Sequence, residues 1–327
     1  MSHDTTDDSV ELVAIVNSFN RRALLERAIT SLTSSFRRAQ FRAAIVVFEA
    51  GSTDGSGEFL QSWRNNNPAD NLIVTEPSAS GSSFSAGVNI ACAEGIARFP
   101  NSQWLFFYET DNYLEDVGPL EQAITLLKEE LPLAAAGFTV KQHDGTYFGY
   151  GMRFPSGLSF ALGQNVAAKI GLHAPNNLEW HLTDGIRWRL CDIVFTSPLL
   201  VRRKAWEQSG GFDAVTFPFS DSDLDWAWRC SEMGWKMAVI ASEQVVHDNL
   251  AQLSAWSANR TLDFHRNRFR LLQRHRGKYI ALLKPILFLR HWLESLILAR
   301  KSATDPSAKE KLEKRKQMLR TVWTNYS

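Results

Sequence analysis

Trp104-Leu105-Phe106-Phe107-Tyr108-Glu109-Thr110-Asp111-Asn112 reads as a buried strand with a charged end. An apolar run with the length of a strand stops abruptly at two carboxylates one residue apart. Leu12 to Val16 is a similar run, and Leu24, Leu25, Ala28, Ile29, Leu32 and Phe36 follow it at helical spacing. Further strands are expected at Ile45 to Phe48, Leu72 to Thr75 and Leu133 to Phe138, with helices over Gly57 to Trp63, Phe84 to Arg98 and Pro119 to Leu131. This alternation predicts an α/β chain whose mostly parallel sheet is flanked by helices on both faces. In open sheets of that kind ligands bind outside the carboxyl ends of the strands, so the residues just after each run are where chemistry belongs.

The chain has 327 residues, 44% hydrophobic and 22% charged, enough for a well-filled core. Its 36 Lys plus Arg against 35 Asp plus Glu leave a formal net charge of +1, which points away from nucleic acid as a partner. Cys92, Cys191 and Cys230 are scattered and lack CxxC spacing, as expected of core thiols in a reducing compartment. The polar, acidic start is unlike a signal peptide, so residues 1–9 are read as a disordered leader on a cytoplasmic chain. Residues 139–192 form an irregular insertion, a last strand runs from Ile193 to Val201, and Arg202 to Gln208 is helical before the Gly210-Gly211-Phe212-Asp213 turn. A change of character places a boundary near 250, dividing a domain over 10–250 from a helical C-terminal region over 251–327.

Four segments carry chemistry. Glu49-Ala50-Gly51-Ser52-Thr53-Asp54-Gly55-Ser56-Gly57 follows the second strand with glycines spaced for a tight turn, whose backbone N–H groups can approach an anion or nucleoside. A plain strand-to-helix turn explains it equally well. Glu109 and Asp111 suit a hard cation such as Mn²⁺ or Mg²⁺, which binds phosphate oxygens in turn, although such a pair alone also fits a solvated strand end. Asp221-Ser222-Asp223-Leu224-Asp225 opens a helix, where carboxylates are also welcome simply as caps. His247, after Val245-Val246, is a candidate ligand.

Taken in order, these segments resemble family 2 of the glycosyltransferases, GT-A-fold, inverting enzymes that use a nucleotide-diphospho-sugar donor. The resemblance covers roughly residues 10–275. Ala14-Ile15-Val16-Asn17-Ser18-Phe19-Asn20-Arg21 is similar to the opening strand and loop, and Val46 to Ser56 to the nucleotide-binding turn, with Glu49 where the pattern usually has Asp. Phe84-Ser85-Ala86-Gly87-Val88-Asn89 resembles the helix behind the donor site, after Ser83 in place of a glycine. Leu105 to Asn112 resembles the metal-binding Asp-x-Asp strand end, and Ser222-Asp223 the Glu-Asp pair that carries the catalytic carboxylate.

The resemblance implies a donor half over about 10–112 and an acceptor half over about 113–250. It implies donor contacts from Ser18, Asn20, Arg21, Glu49, Gly51, Ser52, Asp54, Asn89, Glu109, Thr110 and Asp111. Mn²⁺ or Mg²⁺ would be held by Asp111, Glu109 and His247, with Asp223 as general base. Asp213 is a candidate acceptor contact, and Trp180 and Trp188 could offer ring faces to a sugar, whereas Trp226 and Trp228 are expected to be structural. The acceptor would be a hydroxyl of a glycan or lipid-linked saccharide, in a role such as cell-surface polysaccharide synthesis. Rhamnosyl-, galactosyl-, glucosyl- and N-acetylhexosaminyltransferases share the pattern.

Arg260, Arg266, Arg268, Arg270, Arg274, Arg276 and Lys278 precede an amphipathic segment, so 260–300 fits peripheral contact with the inner face of the plasma membrane. Packing on the catalytic domain or on a second copy in a homodimer fits the pattern equally. Lys309 to Arg320 is expected to be an exposed helix. The departures at Glu49, Ser83, Glu109 and Ser222 leave a second class open, a nucleotide-sugar-binding partner subunit without turnover. A nucleotidyltransferase is disfavoured by the lack of a basic Gly-rich loop near the start.

Overall fold

A computed structural model of the chain describes residues 9–77, 83–130, 132–142, 144–171, 179–195, 197–247 and 258–321. In chain order its strands are β1 (Leu12–Ser18), β2 (Ala43–Glu49), β3 (Leu72–Thr75), β4 (Trp104–Phe107), β5 (Asn112–Leu114), β6 (Leu133–Phe138) and β7 (Val140–Lys141). There follow β8 (Tyr147–Phe148), β9 (His181–Thr183), β10 (Ile186–Cys191), β11 (Leu199–Arg202), β12 (Lys236–Ile240) and β13 (Val245–His247). The helices are α1 (Arg22–Phe36), α2 (Ser56–Asn66), α3 (Phe84–Arg98), α4 (Gly118–Glu129), α5 (Gly157–Leu162) and α6 (Gln164–Lys169). Those after the insertion are α7 (Arg203–Ser209), α8 (Ser222–Glu232), α9 (Ala258–Arg276), α10 (Lys284–Lys301) and α11 (Pro306–Thr321). They form two compact units, Met1–Met152 with Leu178–Ala251, and Arg153–Asn177 with Gln252–Ser327.

The first unit is built on a nine-stranded sheet in the order β3-β2-β1-β4-β11-β6-β12-β10-β9. From β3 to β4 the strands are parallel, as the alternation predicts. β11 then runs antiparallel between β4 and β6, β12 is parallel to β6, and β10 and β9 finish the sheet antiparallel. β1 and β2 are buried along nearly their whole length because helices cover both faces. α1 presents Leu25, Ala28, Ile29 and Leu32 to the core, and each large aliphatic side chain so buried contributes about 1.5–3 kcal/mol. α3 lies over β1 and β2. At Gly87 a Cβ would stand 2.5 Å from the Phe48 ring and 2.7 Å from Asn17 Nδ2, so only glycine lets the first turns of α3 settle on the strand ends.

The expected last strand, Ile193 to Val201, is shorter in the structure. Ile193 bridges to Met152 and the ladder with β4 begins at Leu199, directly after Pro198, which has no N–H to give it. Within the irregular insertion, β10 joins the main sheet. A second sheet, β5-β13-β7-β8, stands at the end of β4. All three cysteines are buried and unbridged.

The second unit is helical, with Phe269, Leu271, Leu272, Ile280, Leu287, Leu312 and Met318 buried. The segment expected as an exposed helix is α11, which does bury Ala308, Leu312 and Met318. Residues 1–8 of the leader and the boundary near 250 lie outside the described residues.

Candidate functional site

The site is assembled from loops at the carboxyl ends of β1, β2 and β4. Ser18 and Glu49 are register partners at the ends of β1 and β2. Beyond them the two loops are laced together. Asn20 N–H donates to Ser52 Oγ at 2.8 Å, and Thr53 N–H donates to Asn20 Oδ1 at 2.8 Å. Asp54 Oδ2 accepts from Arg22 N–H at 2.8 Å, while its Oδ1 accepts from the Ser56 hydroxyl at 2.6 Å. The Ser56 hydroxyl, then the Arg22 N–H, hold the Asp54 carboxyl below its ordinary pKa. Asn20 (φ 50°) and Gly51 (φ 81°) take the left-handed turns this lacing needs. Asn20, Ser52 and Asp54 thus use their side chains to shape the loop. Glu49 Oε1 accepts from Ser52 N–H at 2.6 Å, but buried Glu49 Oε2 and Ser18 Oγ have no hydrogen-bond partner among the described residues. Phe19, between the two loops' anchors, is 56% exposed.

At the end of β4 the chain turns through Glu109 to Asn112, closed by Asn112 N–H to Glu109 O at 3.0 Å. Ser31 on α1 holds this turn, meeting the buried Tyr108 hydroxyl at 3.2 Å and accepting from Leu114 N–H at 2.9 Å. Burial pushes the Tyr108 phenol well up, so it serves as a neutral hydrogen-bonding group. Asn112 Nδ2 donates to Ser197 Oγ at 2.8 Å. β13 pairs antiparallel with β5 so that His247 lies opposite Asn112. His247 Nε2 is then 3.6 Å from Asp111 Oδ1, and Arg21 Nη1 is 3.5 Å from Asp111 Oδ2. Phe148 packs edge-on against the His247 ring at 5.6 Å.

Asp111 is 4% exposed, and its Oδ1 has no hydrogen-bond partner among the described residues. A buried carboxylate in that state is costly unless something compensates it. The 3.6 Å gap to His247 is too long for a hydrogen bond, and a carboxylate beside an imidazole is a donor pair of the kind that suits Mn²⁺. Glu109 is half-buried, Thr110 is buried, and no group of three metal-binding side chains forms among the described residues.

The loop before α8 is pinned to α3. Asn89 Nδ2 donates to Phe212 O at 2.8 Å and Asn89 Oδ1 accepts from Phe212 N–H at 3.0 Å. Ser85 Oγ donates to Phe217 O at 2.6 Å, and Asp213 Oδ1 accepts from Thr216 N–H at 2.9 Å. From the other side, fully buried Asp225 accepts from Arg229 Nε at 2.8 Å, and the same guanidinium donates to Ser209 O and Gly211 O. Trp226 Nε1 donates to Ser209 Oγ at 2.7 Å, and Trp226 and Trp228 are buried as expected. Asp223 sits half-buried in the first turn of α8, after Asp221 in the left-handed region at φ 63°.

The aromatic candidates separate. Trp188 is buried in the core with its Nε1 donating to Thr183 Oγ1 at 3.1 Å, so the reading of it as a sugar platform is corrected. Trp180 is half-buried, with the Arg187 and Arg189 guanidiniums 4.8 and 4.9 Å from its ring centre. The pinning roles of Ser31, Ser85 and Arg229 have no sequence signature beyond helix spacing.

No protein-family model and no curated protein matches the chain. Solved structures do. The mannosyltransferase PcManGT from Pyrobaculum calidifontis, in complex with GDP-Man and Mn²⁺, aligns at a TM-score of 0.55 and 15% identity over 98% of this chain and 89% of that one. The fold is the GT-A fold. Residues 1–349 of S. aureus TarS in complex with UDP-GlcNAc align at 0.51 and 13% identity, over 86% and 71% of the two chains. GalNAc-T7 with UDP, GalNAc and Mn²⁺ aligns at 0.57 and 12% identity, covering 96% of this chain and 56% of that one. At such identities the likeness establishes the GT-A architecture alone.

Proposed function

We propose that the chain is an inverting, metal-dependent glycosyltransferase that moves a sugar from a nucleotide-diphospho-sugar to a hydroxyl of a glycan or lipid-linked saccharide. The observation that carries this reading is Asp111, a buried carboxylate at the end of β4 with one oxygen that has no hydrogen-bond partner among the described residues and His247 beside it. It gains support from the GT-A architecture and from the mannosyltransferase that shares it in complex with GDP-Man and Mn²⁺.

In this reading Ser18 and Glu49 take hydrogen bonds from the nucleoside through the atoms that lack partners, and the Phe19 ring packs on its base. Asp111 and His247 would hold Mn²⁺ or Mg²⁺, with Glu109 nearby in the turn. The cation, when bound, neutralises charge on the departing diphosphate as a Lewis acid. Arg21 shares the Asp111 carboxylate and adds positive charge on the diphosphate's side. Asp223 accepts the proton of the acceptor hydroxyl, which attacks the anomeric carbon from the opposite side and inverts it. Asp213 and Trp180 border the acceptor, and the work takes place at the cytoplasmic face of a membrane.

A second reading, a nucleotide-sugar-binding subunit without turnover, is favoured by the departures at Glu49, Ser83, Glu109 and Ser222, the last of which stands beside Asp223 where the resembled pattern has Glu. Slow hydrolysis of a panel of nucleotide sugars, with Mn²⁺, Mg²⁺ or chelator, separates the two. Metal-dependent release of nucleoside diphosphate supports the enzyme. Donor binding with no release, with every acceptor class supplied, supports the binding subunit.

A further inference from the structure

α10 has its polarity reversed. The positions it buries are Leu287, His291 and Ser295. On the other side Leu289, Trp292, Leu293, Leu296 and Ile297 are 46 to 55% exposed. At about 100° per residue, the first four of these fall within an arc of about 100° facing away from His291. An ordinary soluble helix does the opposite, burying its leucines and wetting its histidine and serine.

The reversal is locked by the unit's own contacts. His291 Nδ1 meets Arg315 Nη1 at 2.8 Å, and Ser295 Oγ donates to His291 O at 2.7 Å. Glu294 is held by Arg315 at 2.8 Å and by Arg290 at 3.0 Å, and Arg290 Nη1 also donates to Phe160 O on α5 at 3.0 Å. Rolling α10 to bury its leucines would break the contacts with Arg315 and with Phe160 O, whereas the Ser295–His291 and Arg290–Glu294 contacts lie within the helix itself. Just upstream, Tyr279 and Leu282, 56% and 77% exposed, lengthen the apolar surface.

Charge selects the occupant. Between Lys284 and Lys301 the acidic residue is Glu294, and it is tied inward. Exposed Arg300 and Lys301 close one end, and exposed Arg274 and Arg276 stand before Tyr279 at the other. A second copy laid on this face by a two-fold axis would set basic ends against basic ends. Anionic headgroups would neutralise both ends while the leucines enter the acyl boundary, with Trp292 and Tyr279 at the depth that indole and phenol rings favour. Among the described residues no helix is long and apolar enough to cross a membrane, so such contact lies in the plane of the surface.

We infer that the exposed side of α10, extended by Tyr279 and Leu282, docks the protein on an anionic lipid bilayer. This inference does not depend on transfer chemistry, and vesicle binding is read without donor or acceptor. The full chain is sedimented with vesicles of phosphatidylcholine, and of phosphatidylcholine with phosphatidylglycerol. The expected result is pelleting with the anionic vesicles, weakened by salt. Pelleting should fall about tenfold or more in a Leu289→Glu, Leu296→Glu variant with an unchanged circular dichroism spectrum. It should fall about fivefold per charge in an Arg300→Gln, Lys301→Gln variant. Should the glutamate variant not fold, quenching of the wild type by brominated lipid, compared with Trp292→Phe, reads the same contact. A wild type that stays in solution with both vesicle types overturns the inference. So does a glutamate variant that pellets like the wild type. A wild-type dimer that the glutamate variant converts to monomer, without vesicle binding, overturns it in favour of a second copy.

Discussion

His247 Nε2 stands 3.6 Å from Asp111 Oδ1 because the short ladder of β13 on β5 sets His247 opposite Asn112, the residue after Asp111. Neither side chain reaches the other by a local turn. The pairing of two strands far apart in sequence brings an imidazole to the Asp111 oxygen that has no hydrogen-bond partner among the described residues.

From this pair follows a first prediction. His247→Ala should weaken Mn²⁺ binding by about tenfold or more while leaving the fold intact, since the proposed site loses a ligand whereas the packing loses one half-buried ring. Titration of Mn²⁺ followed by electron paramagnetic resonance reads the change. An unaltered Mn²⁺ affinity would remove His247 from the site.

Phe19 projects a ring at the carboxyl end of β1 with 56% of its surface exposed. Stacking of a base on an aromatic side chain contributes about 1–3 kcal/mol, so Phe19→Ala should raise the donor dissociation constant by about tenfold or more without changing metal affinity. Calorimetric titration with the donor and with Mn²⁺ separately distinguishes that outcome from general damage to the loop.

Asn89 spends both ends of its amide on Phe212, which makes it a positioning residue for the loop that leads to Asp223. Asn89→Ala should cost about 1–2 kcal/mol and lower the melting temperature by about 2–8 °C. Donor affinity should stay within about twofold, whereas turnover falls. A large loss of donor affinity with unchanged melting would instead make Asn89 a donor contact.

The second unit should lose stability in mild acid. Burial first, then the charges of His291, Arg290 and Arg315, push His265 down to about 3, against about 6.5 in an unfolded chain. Between those values the unfolded chain binds a proton that the folded one refuses, so stability rises with pH across that window and is lost as pH falls below about 6.5. Glu294 acts in the same direction at lower pH. Burial alone would raise it, but the His291 hydrogen bond and the charges of Arg315 and Arg290 bring it to about 2. Denaturant titrations between about pH 7 and pH 5 should show a loss of up to about 1.4 kcal/mol per pH unit from His265, and His265→Phe should flatten that slope.

How much of this was legible in the residues depends on the range of the interactions. β1, β2, β4 and β6, with α1, α3 and α4, are set by local apolar periodicity, and all are found where that periodicity puts them. The antiparallel insertion of β11 between β4 and β6 carries no such mark, because a buried apolar run reads alike in either direction. β5 and β13 are too short to show a pattern, and their pairing is a tertiary event. Asp111 and His247 could be named from sequence but their contact could not. Asn20, Ser52, Asp54 and Asn89 were legible as polar residues at the right edge of the sheet, yet whether such a side chain faces a ligand or a neighbouring N–H is decided only once two loops meet. Trp188 was misread for a related reason. A tryptophan near glycines and histidines looks like a platform until β10 takes it into the core.

The most direct measurement is calorimetric titration of nucleotide sugars in the presence of Mn²⁺, followed by turnover, for the wild type, Asp111→Asn and Asp223→Asn. The wild type should bind a donor only with metal, and Asp111→Asn should lose that binding. Asp223→Asn should bind the donor as the wild type does while turnover falls by about 10²- to 10⁴-fold. Wild-type protein that binds no nucleotide sugar under any metal condition, or an Asp111→Asn variant that binds and turns over undiminished, would contradict the assignment of this site.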